Sequence, residues 1–362
     1  MKIVTVVGAR PQFIKAAAFS RALRTPEGSA IQELMLHTGQ HHDEMMSGVF
    51  FEELGMAAPK WNLGVAGGSH GAMTGRMLAE IETVLVAEAP DYVLIYGDTN
   101  STLAAVLAAS KLHIPVAHVE AGLRSFNMRM PEEVNRIVAD RLSSLLLCPT
   151  TTAVEHLARE GMTGGVHLVG DIMYDAALHF AALAAPRTGP LFEKLKISRG
   201  EYILATIHRA ENVDHPEKLR SILRGLAAAA DLKKVVFPVH PRTRARVRES
   251  GAEFPANVEI IDPVSFLDMV ILEKNASLII TDSGGVQKEA FFYGVPCVTV
   301  REESEWMETV ASGWNILAGA DADKLVAAIA AHQTRQREAV SPYGSGDAAM
   351  KILGLLLEAG AR

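Results

Sequence analysis

Two doubly wound, Rossmann-like α/β domains facing a cleft are predicted by three features of this 362-residue chain. Short apolar runs alternate with longer helical segments, as in parallel sheets covered by helices on both faces. The runs fall into two series, separated by an Ala-rich stretch. Polar clusters recur where the runs end, which is where ligands lie in such sheets.

In chain order, the first series of predicted strands is Lys2–Val7, Glu33–His37, Tyr92–Tyr96, Val116–Val119 and Ser144–Cys148. The second is Tyr202–Thr206, Lys234–Val239, Val258–Ile261, Ser277–Thr281 and Cys297–Val300. Helices are predicted over Thr102–Leu112, Thr152–Glu160, Glu217–Ala228 and Val286–Tyr293, with Ala-rich closing helices at 321–333 and 347–360. The stretch Tyr174–Arg199, punctuated by Pro186, Gly189 and Pro190 before Gly200, marks the boundary. The expected domains are 1–173 and 174–346.

Composition narrows the function. A hydrophobic fraction of 49% is that of a folded globular protein. A formal charge of −7 argues against nucleic acid as a bulk electrostatic partner, though not against a local basic pocket. Cys148 and Cys297 form no CxxC pair and read as small buried residues. No apolar run is long enough to span a bilayer, and Lys2 leads straight into a short strand with no signal-peptide pattern. A cytoplasmic protein is expected, with no membrane partner.

The densest chemistry lies between 118 and 136, where Glu120, Glu132 and Glu133 mingle with Arg124, Arg129 and Arg136. Pro131 starts a helix whose first turn carries two acids, at the positive end of its dipole. Glu120 instead sits where a strand runs out into a glycine loop. Carboxylates from two elements beside guanidinium groups suit acid/base chemistry on an anionic substrate.

Other strand ends repeat the theme. Gly8-Ala9-Arg10-Pro11 follows the first strand, with Lys15 on the helix beyond; Lys15 serves the cleft or lies solvated on an exposed helix face. Gly97-Asp98-Thr99-Asn100 follows the third strand and reads as a site or as a helix cap. His208 and His240 each stand close before an arginine, as anion-facing groups do, although a single histidine is most often structural. Asp282-Ser283-Gly284-Gly285 joins a strand to a helix. It is either a phosphate cradle of free backbone N–H groups or a glycine turn with Ser283 as cap. Glu289, two turns on, reaches a sugar hydroxyl or is surface charge. Neither dinucleotide nor P-loop glycine signatures occur. His37, His41, His42 and Asp43 read as a loop without metal, since Gly39 breaks the helix that would align them.

As an ordered set these segments resemble the non-hydrolysing UDP-N-acetylglucosamine 2-epimerases. The matching stretches are GARPQFIK at 8–15, TGQH at 38–41, GDTNST at 97–102, VEAGLRS at 119–125 and PEEVNR at 131–136. They continue with TIHRAEN at 206–212, PVHPR at 238–242, TDSGGVQKEA at 281–290 and PYGSG at 342–346. The resemblance implies a GT-B-like fold whose last helix, 347–362, packs back on the first domain. It also implies interconversion of UDP-N-acetylglucosamine and UDP-N-acetylmannosamine without cofactor or metal. A base removes the C2 proton as UDP leaves C1, and UDP re-adds to the resulting 2-acetamidoglucal after protonation from the other face. By the same resemblance Asp98, Glu120 and Glu132 are the acid/base carboxylates, and Lys15 and Arg136 orient them and the sugar. Arg10, His208, Ser283, Gly284 and Gly285 hold the leaving diphosphate, and His208 counts with the catalytic groups for that reason. His240 joins the substrate site, Glu289 contacts ribose, and the segment around Phe266 faces uracil. Clustered carboxylates repel, which favours a proton on one of them. A homodimer and a place in cell-surface polysaccharide biosynthesis rest on the resemblance alone.

Two segments depart from the familiar pattern. The loop SFNMRM at 125–130 is compact where UDP-N-acetylglucosamine members often carry a longer aromatic insert. Ser-Glu-Trp-Met-Glu stands at 304–308 in place of a Thr-Glu-Arg-Pro-Glu-like sequence. Both are more like members acting on UDP-2,3-diacetamido-glucuronate, whose extra carboxylate Arg129 or Arg301 would suit. The 64–74 loop lacks the polar pattern of an activating second substrate site. A GT-B glycosyltransferase is the more distant alternative.

Overall fold

The computed structural model describes residues 1–40 and 48–360, so His41, His42 and Asp43 of the histidine-rich loop lie outside the described residues. The chain forms two compact units, Met1–Ala176 with Ser341–Arg362, and Ala177–Val340.

The first unit is built on a parallel sheet of β1 (Lys2–Val7), β2 (Gln32–His37), β3 (Trp61–Asn62), β4 (Tyr92–Tyr96), β5 (Val116–Val119), β6 (Leu145–Cys148) and β7 (Val166–Leu168). Their spatial order is β3-β2-β1-β4-β5-β6-β7. The second unit repeats this plan with β8 (Tyr202–Thr206), β9 (Lys234–Pro238), β10 (Val258–Ile261), β11 (Leu278–Thr281), β12 (Cys297–Thr299) and β13 (Asn315–Leu317). Here the order is β10-β9-β8-β11-β12-β13. In each sheet the winding reverses once, between β1 and β4 and between β8 and β11. Loops leaving the strand ends there diverge and open a crevice.

Five of the predicted strands shift by one residue at one end, and β3, β7 and β13 were not foreseen. All three are edge strands of two or three residues. An edge strand has one neighbour and need not be apolar on both faces, so it lacks the continuous run that reveals β1, whose Ile3, Val4, Val6 and Val7 are fully buried. The unit boundary falls at Ala176/Ala177, past the 173/174 junction predicted, and the chain rejoins the first unit at Ser341 rather than 347. Asp175 explains the shift. Its carboxylate accepts the N–H groups of Ala348 and Ala349 at 3.1 and 2.9 Å, capping the helix Ala348–Gly360. That helix lies against the helix Arg10–Ala22.

Each reversal point is latched by one buried polar side chain. In the first unit Gln12 accepts the N–H groups of Gly8 and Ala9 at 2.8 and 3.0 Å and donates to the carbonyl of Tyr96 at 2.7 Å. In the second, Asp282 accepts the N–H groups of His208 and Arg209 at 3.1 and 3.0 Å and the Asn212 amide at 3.0 Å. Register sets the heights. Tyr96 is level with Val119, and Thr206 with Thr281.

Candidate active site

In the first unit that register brings two sequence-predicted carboxylates to one strand-end level. Tyr96 runs into Gly97 and Asp98, and Val119 into Glu120. Gly97 has φ 60°, and a side chain there would come 3.2 Å from the Glu120 carboxylate and 3.6 Å from the Lys15 ammonium. Glu120 and Lys15 form an ion pair with both side chains 9% exposed. Lys15 is therefore not on a solvated face; it is turned inward onto Glu120. Glu120 itself has φ 76°. A non-glycine residue held there costs about 1–3 kcal/mol, and such residues cluster at functional sites.

Asp98 was open to a second reading as a helix cap. The structure gives that task to Thr99, whose hydroxyl accepts the N–H of Thr102. Asp98 is left to pair with Arg136, whose other nitrogen donates to Glu133 at 2.6 Å. The carboxylates are thus not left to repel one another. Each inward carboxylate has its own cation, Lys15 for Glu120 and Arg136 for Asp98.

The helix Pro131–Leu142 separates its two N-terminal acids. Glu133 is buried and clamps the SFNMRM loop, accepting Ser125 N–H at 2.9 Å, Ser125 Oγ at 2.8 Å and Phe126 N–H at 2.9 Å. Glu132 is exposed. The clamp presents Phe126 and Met128 outward, at 72% and 62% exposure. The Arg129 guanidinium in the same loop makes no ion pair or hydrogen bond among the described residues. Arg301, the other arginine considered for a substrate carboxylate, is instead engaged by Glu305 through two contacts of 3.0 Å.

In the second unit the helix Gly284–Phe292 begins directly after β11. Ser283 occupies the cap position but makes no side-chain capping bond, so its hydroxyl is not used to end the helix. Side chains converge on the helix start. Arg209, Trp306 and Glu305 lie 3.6, 3.7 and 3.9 Å from where a Gly284 side chain would be, and Glu289 curls back to 3.9 Å from the same point on Gly285. His208 and His240 have ring centroids 6.0 Å apart. Burial depresses the His208 pKa; the nearby Asp282 carboxylate opposes this, while His240, Arg209 and Arg242 reinforce it. Its side chain is 43% exposed all the same, open to a ligand. His240 also caps the helix Pro241–Glu249, with Nδ1 accepting the Arg242 N–H at 3.1 Å. Phe266 is buried against Phe180, ring centroids 4.9 Å apart. Arg10 stands at the head of its helix in the first unit, half-buried. Cys148 and Cys297 are buried, and burial pushes both thiols up to about 12.

Sequence reasoning missed the supports. Gln12, His118, Asp140 and the latching role of Asp282 emerge only in three dimensions. A histidine inside the apolar run Val116–Val119 was the one available signal. Asp140 is fully buried. Burial opposes its charge, but His118 and Arg124 outweigh that and hold its pKa low; Glu133 is held low against burial by Ser125, Arg136 and Phe126. Depressed carboxyls give stability that is present above their unfolded pKa, about 4, and lost as pH falls through the folded values. Glu33 and Asp175, raised by burial, act in the opposite sense. Urea titrations from pH 6 to 3 are therefore expected to show a smaller acid loss for Asp140→Asn than for the wild type. Parallel curves would show that Asp140 is not a source of the acid sensitivity.

Two doubly wound parallel sheets, one with paired carboxylates and cations at its reversal point and one with a glycine-led helix, define a GT-B-like α/β protein. A UDP-bound glycosyltransferase from Siraitia grosvenorii shares this fold at a TM-score of 0.60 over 98% of this chain and 99% of its own, with 10% identity. The family model for UDP-N-acetylglucosamine 2-epimerase matches residues 24–357. A UDP-2,3-diacetamido-2,3-dideoxy-D-glucuronate 2-epimerase of Pseudomonas aeruginosa is 50% identical over 97% of this chain and 98% of its own. The crystal structure of Methanocaldococcus jannaschii UDP-GlcNAc 2-epimerase, in complex with UDP-GlcNAc and UDP, superposes at a TM-score of 0.90 with 42% identity, covering 99% of this chain and 100% of that one. The chain belongs to the UDP-N-acetylglucosamine 2-epimerase family and is accordingly an isomerase.

Proposed function

We propose that the protein inverts C2 of a UDP-2-acetamido sugar, interconverting UDP-N-acetylglucosamine and UDP-N-acetylmannosamine by elimination and re-addition of UDP. The observation that carries this reading is Glu120. Among the described residues five non-glycine positions have positive φ, and of these Glu120, at φ 76°, is the carboxylate and is paired with a buried lysine.

A C2 proton not adjacent to a carbonyl is weakly acidic, so its removal must accompany departure of the C1 substituent. The base takes the proton, the C2–H electrons form the C1–C2 double bond, and the C1–O bond breaks with its pair on UDP. Arg10, His208, Ser283 and the N–H groups of Gly284 and Gly285 would stabilise the diphosphate. Glu289 would take ribose hydroxyls, and His240 and the Phe266 segment would complete the nucleotide contacts. Asp98, Glu120 and Glu132 would exchange protons at the two faces of C2, with Lys15 and Arg136 fixing their orientation. A cytoplasmic homodimer is part of the same reading.

A second substrate is favoured by one observation. Arg129 is exposed and unpaired among the described residues, in the loop between Glu120 and Glu132, where it would meet the carboxylate of UDP-2,3-diacetamido-glucuronate. The test is NMR in heavy water with each UDP-sugar. Deuterium at C2 of the intact nucleotide sugar is expected. Free sugar and UDP without C2 exchange would overturn epimerisation, and the substrate that turns over decides between the two.

A further inference from the structure

Behind the two strand-end carboxylates lies a group that the proposed chemistry does not use. His118, in the middle of β5, is completely buried. Its Nδ1 faces Asp140 Oδ1 at 2.7 Å and its Nε2 faces the Gly97 carbonyl at 2.8 Å. Each ring nitrogen thus faces an oxygen from a different segment. Asp140 Oδ2 in turn accepts the Gly122 N–H at 3.2 Å and Arg124 at 2.7 Å. Arg124 is locked from the far side by a two-pronged contact with Glu160 at 2.7 and 2.9 Å.

The connectivity of this node is what gives it a function. Gly97 immediately precedes Asp98, Gly122 lies just beyond the left-handed Glu120, and Asp140 sits on the helix that carries Glu132 and Arg136. One buried charge cluster therefore ties together all three segments bearing the acid/base groups. Glycine loops with positive φ do not hold a position by themselves, and Gly97 and Gly122 are of that kind.

We propose that His118, clamped by Asp140, is a positioning residue for catalysis: through the Gly97 carbonyl it fixes Asp98, and through Asp140 and Gly122 it fixes the loop of Glu120. The proposal rests on the epimerase reading for its kinetic consequence but not for its structural one. Group placement within a fraction of an ångström matters because misplacement by about 1 Å costs on the order of a hundredfold in rate.

Two near-isosteric variants separate the two bonds. In His118→Gln the amide nitrogen stands in for Nε2 and retains the Gly97 contact; in His118→Asn it stands in for Nδ1 and retains only Asp140. In both variants kcat for C2 exchange is expected to fall about 10- to 100-fold with KM within about twofold, because each frees one of the two acid/base segments. Hydrogen exchange read by mass spectrometry provides the second measurement. Segment 97–100 is expected to lose protection in His118→Asn but not in His118→Gln, and segment 119–125 in His118→Gln. Loss of protection over both segments in both variants, tracking a common fall in Tm, would reduce His118 to a structural residue and overturn the proposal. So would wild-type kcat and protection in both. If the wild type exchanges C2 in no UDP-2-acetamido sugar, the functional reading fails, and the protection pattern alone decides the proposal.

Discussion

Glu120→Gln is expected to cut C2 exchange by about a thousandfold, the scale of losing one general acid/base group, while UDP binding stays essentially unchanged. The substitution keeps the shape and removes the charge. It also strands Lys15, whose partner is gone and whose side chain is 9% exposed. Breaking a buried pair from one side costs about 3–5 kcal/mol, so the single variant should also unfold at lower urea. A double variant, Lys15→Met with Glu120→Gln, removes the stranded charge and should regain much of that stability without regaining exchange. Stability and catalysis then separate, which a purely structural ion pair does not allow. Wild-type exchange in Glu120→Gln would remove this carboxylate from the chemistry. Recovery of exchange in the double variant would show that the single variant had failed through its fold.

The contrast between what the sequence reveals and what it hides follows the range of the interactions. The inner strands of both sheets are buried on two faces, and that shows as local runs such as Ile3-Val4-Thr5-Val6-Val7. Helix starts are local as well: Pro131 with two following acids marks one. Asp98, Glu120 and Ser283 could be singled out because they stand where such runs end. Their roles could not, because a strand-end Asp and Ser are equally caps. Only the structure shows that Thr99 takes the capping bond beside Asp98 and that Ser283 makes none. The latches were hidden for a different reason. Gln12 reaches the carbonyl of Tyr96, 84 positions away, and Asp282 reaches back to His208 across 74. Nothing in the local pattern distinguishes a buried glutamine that spans two strands from one on a helix surface. The acids of the helix Pro131–Leu142 make the same point. Glu132 and Glu133 are adjacent in sequence, but the helix turns one to solvent and the other onto Ser125, Phe126 and Arg136.

The two glycines that open loops at the reversal points are expected to respond oppositely to alanine. At Gly8 a side chain would come within 2.0 Å of Ser101 Oγ and 2.3 Å of Thr38 Oγ1, so the fold itself needs the glycine. At Gly284 nothing stands closer than 3.6 Å, and its φ is not among the positive ones. No backbone or packing reason within the unit requires glycine there. Gly284→Ala should accordingly fold with an unchanged or slightly higher Tm, since alanine in a helix turn reduces the freedom of the unfolded chain. Its effect should fall on ligand. A methyl group between the helix N-terminus and a diphosphate keeps the phosphate oxygens from the free N–H groups, and losing one or two charge-assisted bonds of about 1.5–3 kcal/mol each weakens UDP at least tenfold. Calorimetric titration with UDP, beside a thermal melt of the same sample, reads both at once. An alanine variant that binds UDP like the wild type would move the diphosphate away from this helix. One that melts much earlier would mean that the glycine is structural after all.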